Sequence, residues 1–342
     1  MSNLTGFGHA EQLRRDPPVP LDEILPLVTP GLREVEAAFR ESLASPLRIV
    51  DEIGDFVAAS GGKRIRPTLH LLCAQLCRYR GSHDVLLATV IELIHCATLI
   101  HDDIIDEATT RRGRPSVNSE WDNTVTVLFG DYMFAKAMQM ALKAESLEVM
   151  DKLAEVTLRM TEGEMLQTRY VGRLDLSVDE YLDLIERKTA ALFACCCELA
   201  GLLAEVDVER QAALRRYGTH LGLAFQLVDD LLDFTGDAEI LGKPAANDLR
   251  EGKATLAVLE LLSRGPGEAH VLARSVMAGN SDRSPEIVRL TALLHESGAI
   301  DRVHERARHH AREAKRELGR FDPGPARLAL ESLPDLLLSR DR

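Results

Sequence analysis

The sequence predicts an all-α protein, on three observations. Apolar residues recur at intervals of three and four through most of the chain, as at Leu25, Val28, Leu32, Val35 and Phe39. That spacing is the period of a helix with one buried face. Stretches that alternate apolar and polar residues, as half-buried strands do, are scarce. Leu, Ala, Glu and Arg, all good helix formers, dominate the composition.

The elements follow from where this period breaks. Residues 1–20, with Pro17, Pro18 and Pro20 among polar neighbours, read as a flexible N-terminal arm. The helical period starts at Leu21, and residues 21–342 read as one all-helical domain. Gly and Pro interrupt it at Ser60-Gly61-Gly62, Gly113-Arg114-Pro115, Gly172, Gly236-Asp237 and Gly242-Lys243-Pro244. The longest surface loop is expected through Gly265-Pro266-Gly267, with another break near Gly279-Asn280-Ser281. Ten or more helices joined by short loops result.

Bulk properties narrow the function. The 342 residues are 45% hydrophobic and 28% charged, which suits a globular chain with a sizeable core. A net charge of −13 leaves no surplus of cations to replace counterions on a nucleic acid. No signal peptide is expected, and no transmembrane helix, because the longest apolar run, Val85 to Ile100, is broken by Glu92 and His95. The six cysteines lack the paired spacing of a zinc site. They read as reduced residues of a cytoplasmic protein.

Two acidic clusters carry the chemistry. The first is His101-Asp102-Asp103-Ile104-Ile105-Asp106, the second Val228-Asp229-Asp230-Leu231-Leu232-Asp233. Residues four apart on a helix lie about 40° apart in projection, so the first and last Asp of each cluster share a face. One such cluster alone reads equally well as a solvated helix face. Both, however, follow strongly apolar helix segments, where acids must be buried or line a cavity. Packed carboxylates repel one another unless a cation compensates. An all-oxygen ligand set favours a hard ion such as Mg2+, which also bridges to substrate phosphates.

Cations are grouped as well. Ser60-Gly61-Gly62-Lys63-Arg64-Ile65-Arg66-Pro67 sets three of them beside two glycines at a helix start, where backbone and helix dipole favour an anion. Arg111-Arg112-Gly113-Arg114-Pro115 follows the first acidic cluster, and the guanidinium fork suits phosphate. Lys188, Thr189, Lys243 and Lys253 lie further on. Each alone reads as a solvated side chain; together they resemble equipment for two anionic groups. His95 lies seven residues before Asp102, on nearly the same face.

These motifs, with Gly130-Asp131, Phe225-Gln226, Gly242-Lys243-Pro244, Asp248 and Gly252-Lys253, resemble those of the trans-isoprenyl diphosphate synthases (polyprenyl synthetases) in order and spacing. The likeness runs from about residue 25 almost to the C-terminus. It implies the all-α isoprenoid synthase type I fold, an antiparallel helix bundle around a deep central cavity, in a homodimer. It further implies successive head-to-tail condensation of isopentenyl diphosphate onto an allylic prenyl diphosphate, with a weak membrane contact for product release.

The resemblance also distributes the residues. Asp102 and Asp106 would bind two Mg2+ with Asp103 in support, and Asp229 a third, with Asp230 and Asp233 nearby. Arg111, Lys188, Thr189, Gln226, Lys243 and Lys253 would hold the allylic diphosphate, with Lys188, Thr189, Gln226 and Lys243 assisting its departure. Lys63, Arg66, His95 and Arg112 would hold isopentenyl diphosphate. Ala246 and Ala257 depart from the Gly and Pro of many relatives. No general base stands out, so the released diphosphate is expected to take the proton.

Chain length is read from the helix behind Asp102. Ile94, Ala97 and Thr98 would line the tunnel, and the small Ala97 and Thr98 leave it open. A pocket's length bounds its ligand, so the chain resembles medium- and long-chain members, with products of about C30 to C50. The alternatives are a shorter farnesyl or geranylgeranyl diphosphate synthase and a non-catalytic subunit of a heteromeric synthase. A terpene cyclase would need the acids but not the second cationic group.

Overall fold

A computed structural model describes residues 21–111, 113–236, 245–279 and 283–339. The expected N-terminal arm, Arg112, Lys243 and the break at Gly242-Lys243-Pro244 lie outside the described residues. The helices α1 (Leu21–Leu43), α2 (Arg48–Ala59), α3 (Ile65–Leu76) and α4 (His83–Ile105) come first. A two-stranded hairpin follows, β1 (Thr110–Arg111) against β2 (Arg114–Pro115), turning at Gly113 with a φ of 74°. Then come α5 (Val117–Glu120), α6 (Asn123–Ala141), α7 (Leu147–Tyr170), α8 (Val178–Ile185), α9 (Ala191–Leu203) and α10 (Val208–Thr235). After the short helix Asn247–Arg250 the chain closes with helices Leu256–Arg264, Gly267–Met277, Ser284–Glu296, Ala299–Glu317 and Pro325–Leu338.

The apolar period of α1 is real but rotated by one residue at its start. Ile24, Val28, Val35, Phe39 and Leu43 are buried, while Leu25 is exposed. No long loop exists at Gly265-Pro266-Gly267. Only two residues separate the flanking helices, and the Gly265 N–H donates to the Leu261 carbonyl as the first helix ends.

Two apolar clusters form the interior. The larger is built from α1, α3, α4, α6, α7 and α9, the smaller from α8 and the helices between Asn247 and Glu317. Helix α10 joins them, giving Ala213 to Leu221 to the first and Leu223 to Phe234 to the second. Helices α4 and α9 are central. Leu87 to Ala88 and Val90 to Ile91 have no exposed surface, and α9 is buried all round from Ala191 to Gly201. Among the described residues α4 alone is long and apolar enough to cross a membrane, and the burial of its apolar run in the bundle accounts for that composition. Central helices place their ends with little freedom, and α4 ends on the first acidic cluster.

Candidate active site

Asp102, Asp103 and Asp106 occupy the C-terminal turn of α4, where the negative end of the helix dipole makes carboxylates unfavourable. Three cations offset this. The Arg111 guanidinium, brought back by the hairpin, donates to both oxygens of buried Asp103, Nε at 2.8 and 3.0 Å and Nη2 at 2.7 Å. The Lys253 ammonium lies 2.8 Å from Asp106 and 2.8 Å from Glu251. Burial pulls the Lys253 pKa down, yet these two carboxylates outweigh it and raise it. Lys188 lies 3.9 Å from Asp102. Asp102 itself projects into a cavity of about 550 Å³. Burial pushes its pKa up to about 6 against the pull of Lys188, with Glu164 and Asp106 adding to the rise.

The second cluster divides sharply. Asp229 is exposed to the same cavity. Asp230 is buried and lines a smaller adjoining cavity of about 180 Å³ with Asp248 and Lys253. Burial and the neighbouring Asp248 push its pKa up to about 8, against hydrogen bonds from Tyr181 and Gln226. Asp233 does not join them. It is 1% exposed, and its two carboxylate oxygens accept the backbone N–H groups of Asn247 (3.2 Å) and Asp248 (3.1 Å). It caps the helix Asn247–Arg250.

The cationic wall also separates into roles. Arg64, at the start of α3 with a φ of 47°, is committed to Glu36 (Nη2 at 2.9 Å) and Glu92 (Nη1 at 2.6 Å). Arg66 lies over the Phe193 ring at 4.8 Å and reaches His95 Nε2 at 3.0 Å. Lys63, Arg66 and His95 line the cavity together, His95 two turns before Asp102 on α4.

Lys188 and Thr189 lie on a π-helical turn, Glu186–Ala190, between α8 and α9. Such turns widen the helix locally and recur at functional sites. Helix α7 packs against it through Gly163, where a Cβ would meet the Lys188 backbone nitrogen at 2.7 Å. The next residue, Glu164, holds the Lys188 ammonium at 2.6 Å. Sequence reasoning did not single out Glu164, because one acid on an amphipathic helix carries no signal. Leu99, Ile105, Met160 and Phe225 complete the cavity with apolar surface.

Of the residues expected to set chain length, Thr98 lines the cavity. Ile94 and Ala97 do not; both are 0% exposed within the larger apolar cluster. The reason is helical geometry. Relative to Asp102, Ala97 is rotated by about 140° and Ile94 by about 80°, whereas Thr98 is rotated by about 40°.

A bundle whose central helices bring carboxylates and a group of lysine, arginine and histidine side chains to one cavity is the architecture of an enzyme that handles diphosphate esters. A sequence model described as "Polyprenyl synthetase" matches residues 48–292. The chain belongs to the polyprenyl synthetase family, and it is a prenyltransferase that elongates prenyl diphosphates. It is 36% identical over 323 residues to the octaprenyl diphosphate synthase of Escherichia coli (strain K12), covering 94% of this chain and 99% of that one. It is 35% identical over 320 residues to a geranyl-diphosphate-specific all-trans-nonaprenyl-diphosphate synthase of Rhodobacter capsulatus, covering 93% and 97%. A crystal structure of a polyprenyl synthase from Caulobacter crescentus CB15, complexed with calcium and isoprenyl diphosphate, superposes with a TM-score of 0.89 at 37% identity, covering 94% and 98%.

Proposed function

We propose that this enzyme adds isopentenyl diphosphate repeatedly to an allylic prenyl diphosphate, with Mg2+, to a product in the heptaprenyl to decaprenyl range. One observation carries the reading: a single cavity holds carboxylates (Asp102, Asp229) and a separate cationic group (Lys63, Arg66, His95). A cyclase has no use for the second group. The all-oxygen donors Asp102, Asp106 and Asp229, with lysine ammonium groups beside Asp102 and Asp106, fit hard cations that would complete their coordination with phosphate and water.

Bound Mg2+ would draw electron density from the allylic diphosphate. The protein's own groups do the rest. Arg111, Lys188, Thr189 and Gln226 hold the leaving diphosphate as the carbon–oxygen bond breaks and its electron pair departs. Lys243 and Lys253 join them by their place in the family motifs, and Arg112 by its place there serves the isopentenyl diphosphate site. Lys63, Arg66 and His95 hold isopentenyl diphosphate so that its double bond meets the new allylic cation. Leu99, Met160 and Phe225 keep water from the cation. A proton then leaves the lengthened chain for the released diphosphate.

Incubation with isopentenyl diphosphate, Mg2+ and farnesyl or geranylgeranyl diphosphate should yield products longer than the primer by multiples of five carbons. No elongation with either primer would overturn the reading. Thr98→Phe should shorten the product by placing a ring in the cavity wall, and an unchanged product size would remove Thr98 from the tunnel.

The assembly we propose is a homodimer in the cytoplasm. Leu128 on α6, Leu142 in the turn just after it, and Leu147, Leu158 and Met165 on α7 are exposed, Leu147 at 89%. Exposed apolar side chains along these two helices offer a second copy an apolar face to cover. The six cysteines are free thiols, which suits a reducing compartment. Sedimentation should give twice the chain mass, and a monomer at micromolar concentration would refute the dimer.

A further inference from the structure

Helix α8 has eight residues, closed at its start by a capping box between Ser177 and Glu180, and it buries only Tyr181 and Ile185. Tyr181 is 2% exposed, so its hydroxyl must find partners inside the protein. It donates to Asp230 Oδ2. The backbone N–H of Leu256, one of the orphan donors at the start of helix Leu256–Arg264, hydrogen-bonds the phenol oxygen. The other oxygen of Asp230 accepts from Gln226 Nε2 at 2.7 Å. Gln226 Oε1 in turn accepts from Thr189 Oγ1 at 2.8 Å.

The chain of hydrogen bonds thus runs from Leu256 through Tyr181, Asp230 and Gln226 to Thr189, and its last two members line the main cavity. Each link fixes the next. With its nitrogen on Asp230, the Gln226 amide presents its oxygen to Thr189. Without the phenol, one oxygen of a buried carboxylate loses its donor, and such networks reorient rather than leave a group unpaired. Asp229, the neighbour of Asp230 on α10, would move with it. Arg66 and His95 meet each other at 3.0 Å.

We propose that Tyr181 is a positioning residue for the diphosphate-binding end of the site: through Asp230 it sets the orientation of Gln226 and Thr189, and the placement of Asp229, for a metal-bound diphosphate. The proposal rests on the functional reading above, and inorganic pyrophosphate with Mg2+ is the probe. Tyr181→Phe keeps the ring and the packing. Tyr217→Phe is the control. Tyr217 is on the same helix as Asp230 and equally buried, but its hydroxyl donates to the Leu330 carbonyl at 2.7 Å, and it does not line the cavity.

Calorimetric titration of Mg2+ and pyrophosphate into the three proteins should show Tyr181→Phe binding about tenfold more weakly than wild type, the worth of one charge-assisted hydrogen bond. The KM for the allylic diphosphate should rise by a similar factor, with the KM for isopentenyl diphosphate unchanged. Tyr217→Phe should bind as wild type does, even where both variants lose comparable thermal stability. Wild-type binding by Tyr181→Phe, or equal weakening in Tyr217→Phe, would overturn the proposal alone. No binding by the wild-type protein would overturn the functional reading and this proposal with it.

Discussion

Asp102→Asn should lower prenyl transfer by roughly 10³-fold, since a metal-ligand contribution of about 4 kcal/mol corresponds to three decades in rate. The same change should raise the melting temperature of the metal-free protein at pH 7. The carboxyl of Asp102 titrates at about 6 in the folded state, mainly through burial, against an ordinary 3.8. The folded state therefore binds its proton more tightly than the unfolded state does. Through this group, stability rises as pH falls through about 6, and the penalty on the ionised form is gone below 3.8. At pH 7 that penalty is on the order of 2–3 kcal/mol. The amide carries none of it. Thermal melts without metal should thus show the variant above wild type at pH 7, the gap closing toward pH 4. Saturating Mg2+ and pyrophosphate should reverse the order, because only the wild-type carboxylate gains from the cation. A variant that melts below wild type without metal at pH 7 would remove Asp102 from its strained position.

That strain shows how the site was legible in sequence and where legibility stopped. The helical period located the core of α1, α4 and α10, because burial on one face leaves a record at every third or fourth residue. The acidic clusters could be read because a charge run after an apolar helix is out of place anywhere but at a cavity. Spacing within a helix could not carry the second cluster further. Asp229 and Asp233 share a face as Asp102 and Asp106 do, yet α10 ends at Thr235 and the returning chain caps itself on Asp233. Glu164, Gly163 and Tyr181 left no signal. Their roles arise where α7 and α8 meet the π turn and α10, contacts between residues far apart in sequence. The π turn itself is invisible in Glu186-Arg187-Lys188-Thr189-Ala190. Arg64 and Arg66 are the clearest case: in sequence they are equivalent cations, and only the structure shows Arg64, with its left-handed backbone, paired to Glu36 and Glu92 while Arg66 meets His95 and Phe193.

Separating these two arginines is the second large effect. Arg66→Ala should raise the KM for isopentenyl diphosphate about 100-fold, the loss of one or two charge-assisted phosphate contacts at about 2.7 kcal/mol. The KM for the allylic diphosphate should stay within twofold, because Arg66 is held by His95 and Phe193, with His95 two helical turns from Asp102 on α4. Arg66→Lys should fall between the two, keeping the charge but losing the planar fork and its stacking on Phe193. Arg64→Ala should act on the fold instead. It leaves Glu92, 4% exposed, without the guanidinium that reaches it at 2.6 Å, at a cost of about 3–5 kcal/mol for a broken buried pair. Denaturant unfolding beside steady-state kinetics with each substrate varied in turn distinguishes them. Arg66→Ala should unfold near the wild-type midpoint with one KM changed, and Arg64→Ala should unfold early. A rise in both KM values for Arg66→Ala would merge the two diphosphate sites into one and return the cavity to a single-substrate, cyclase-like chemistry.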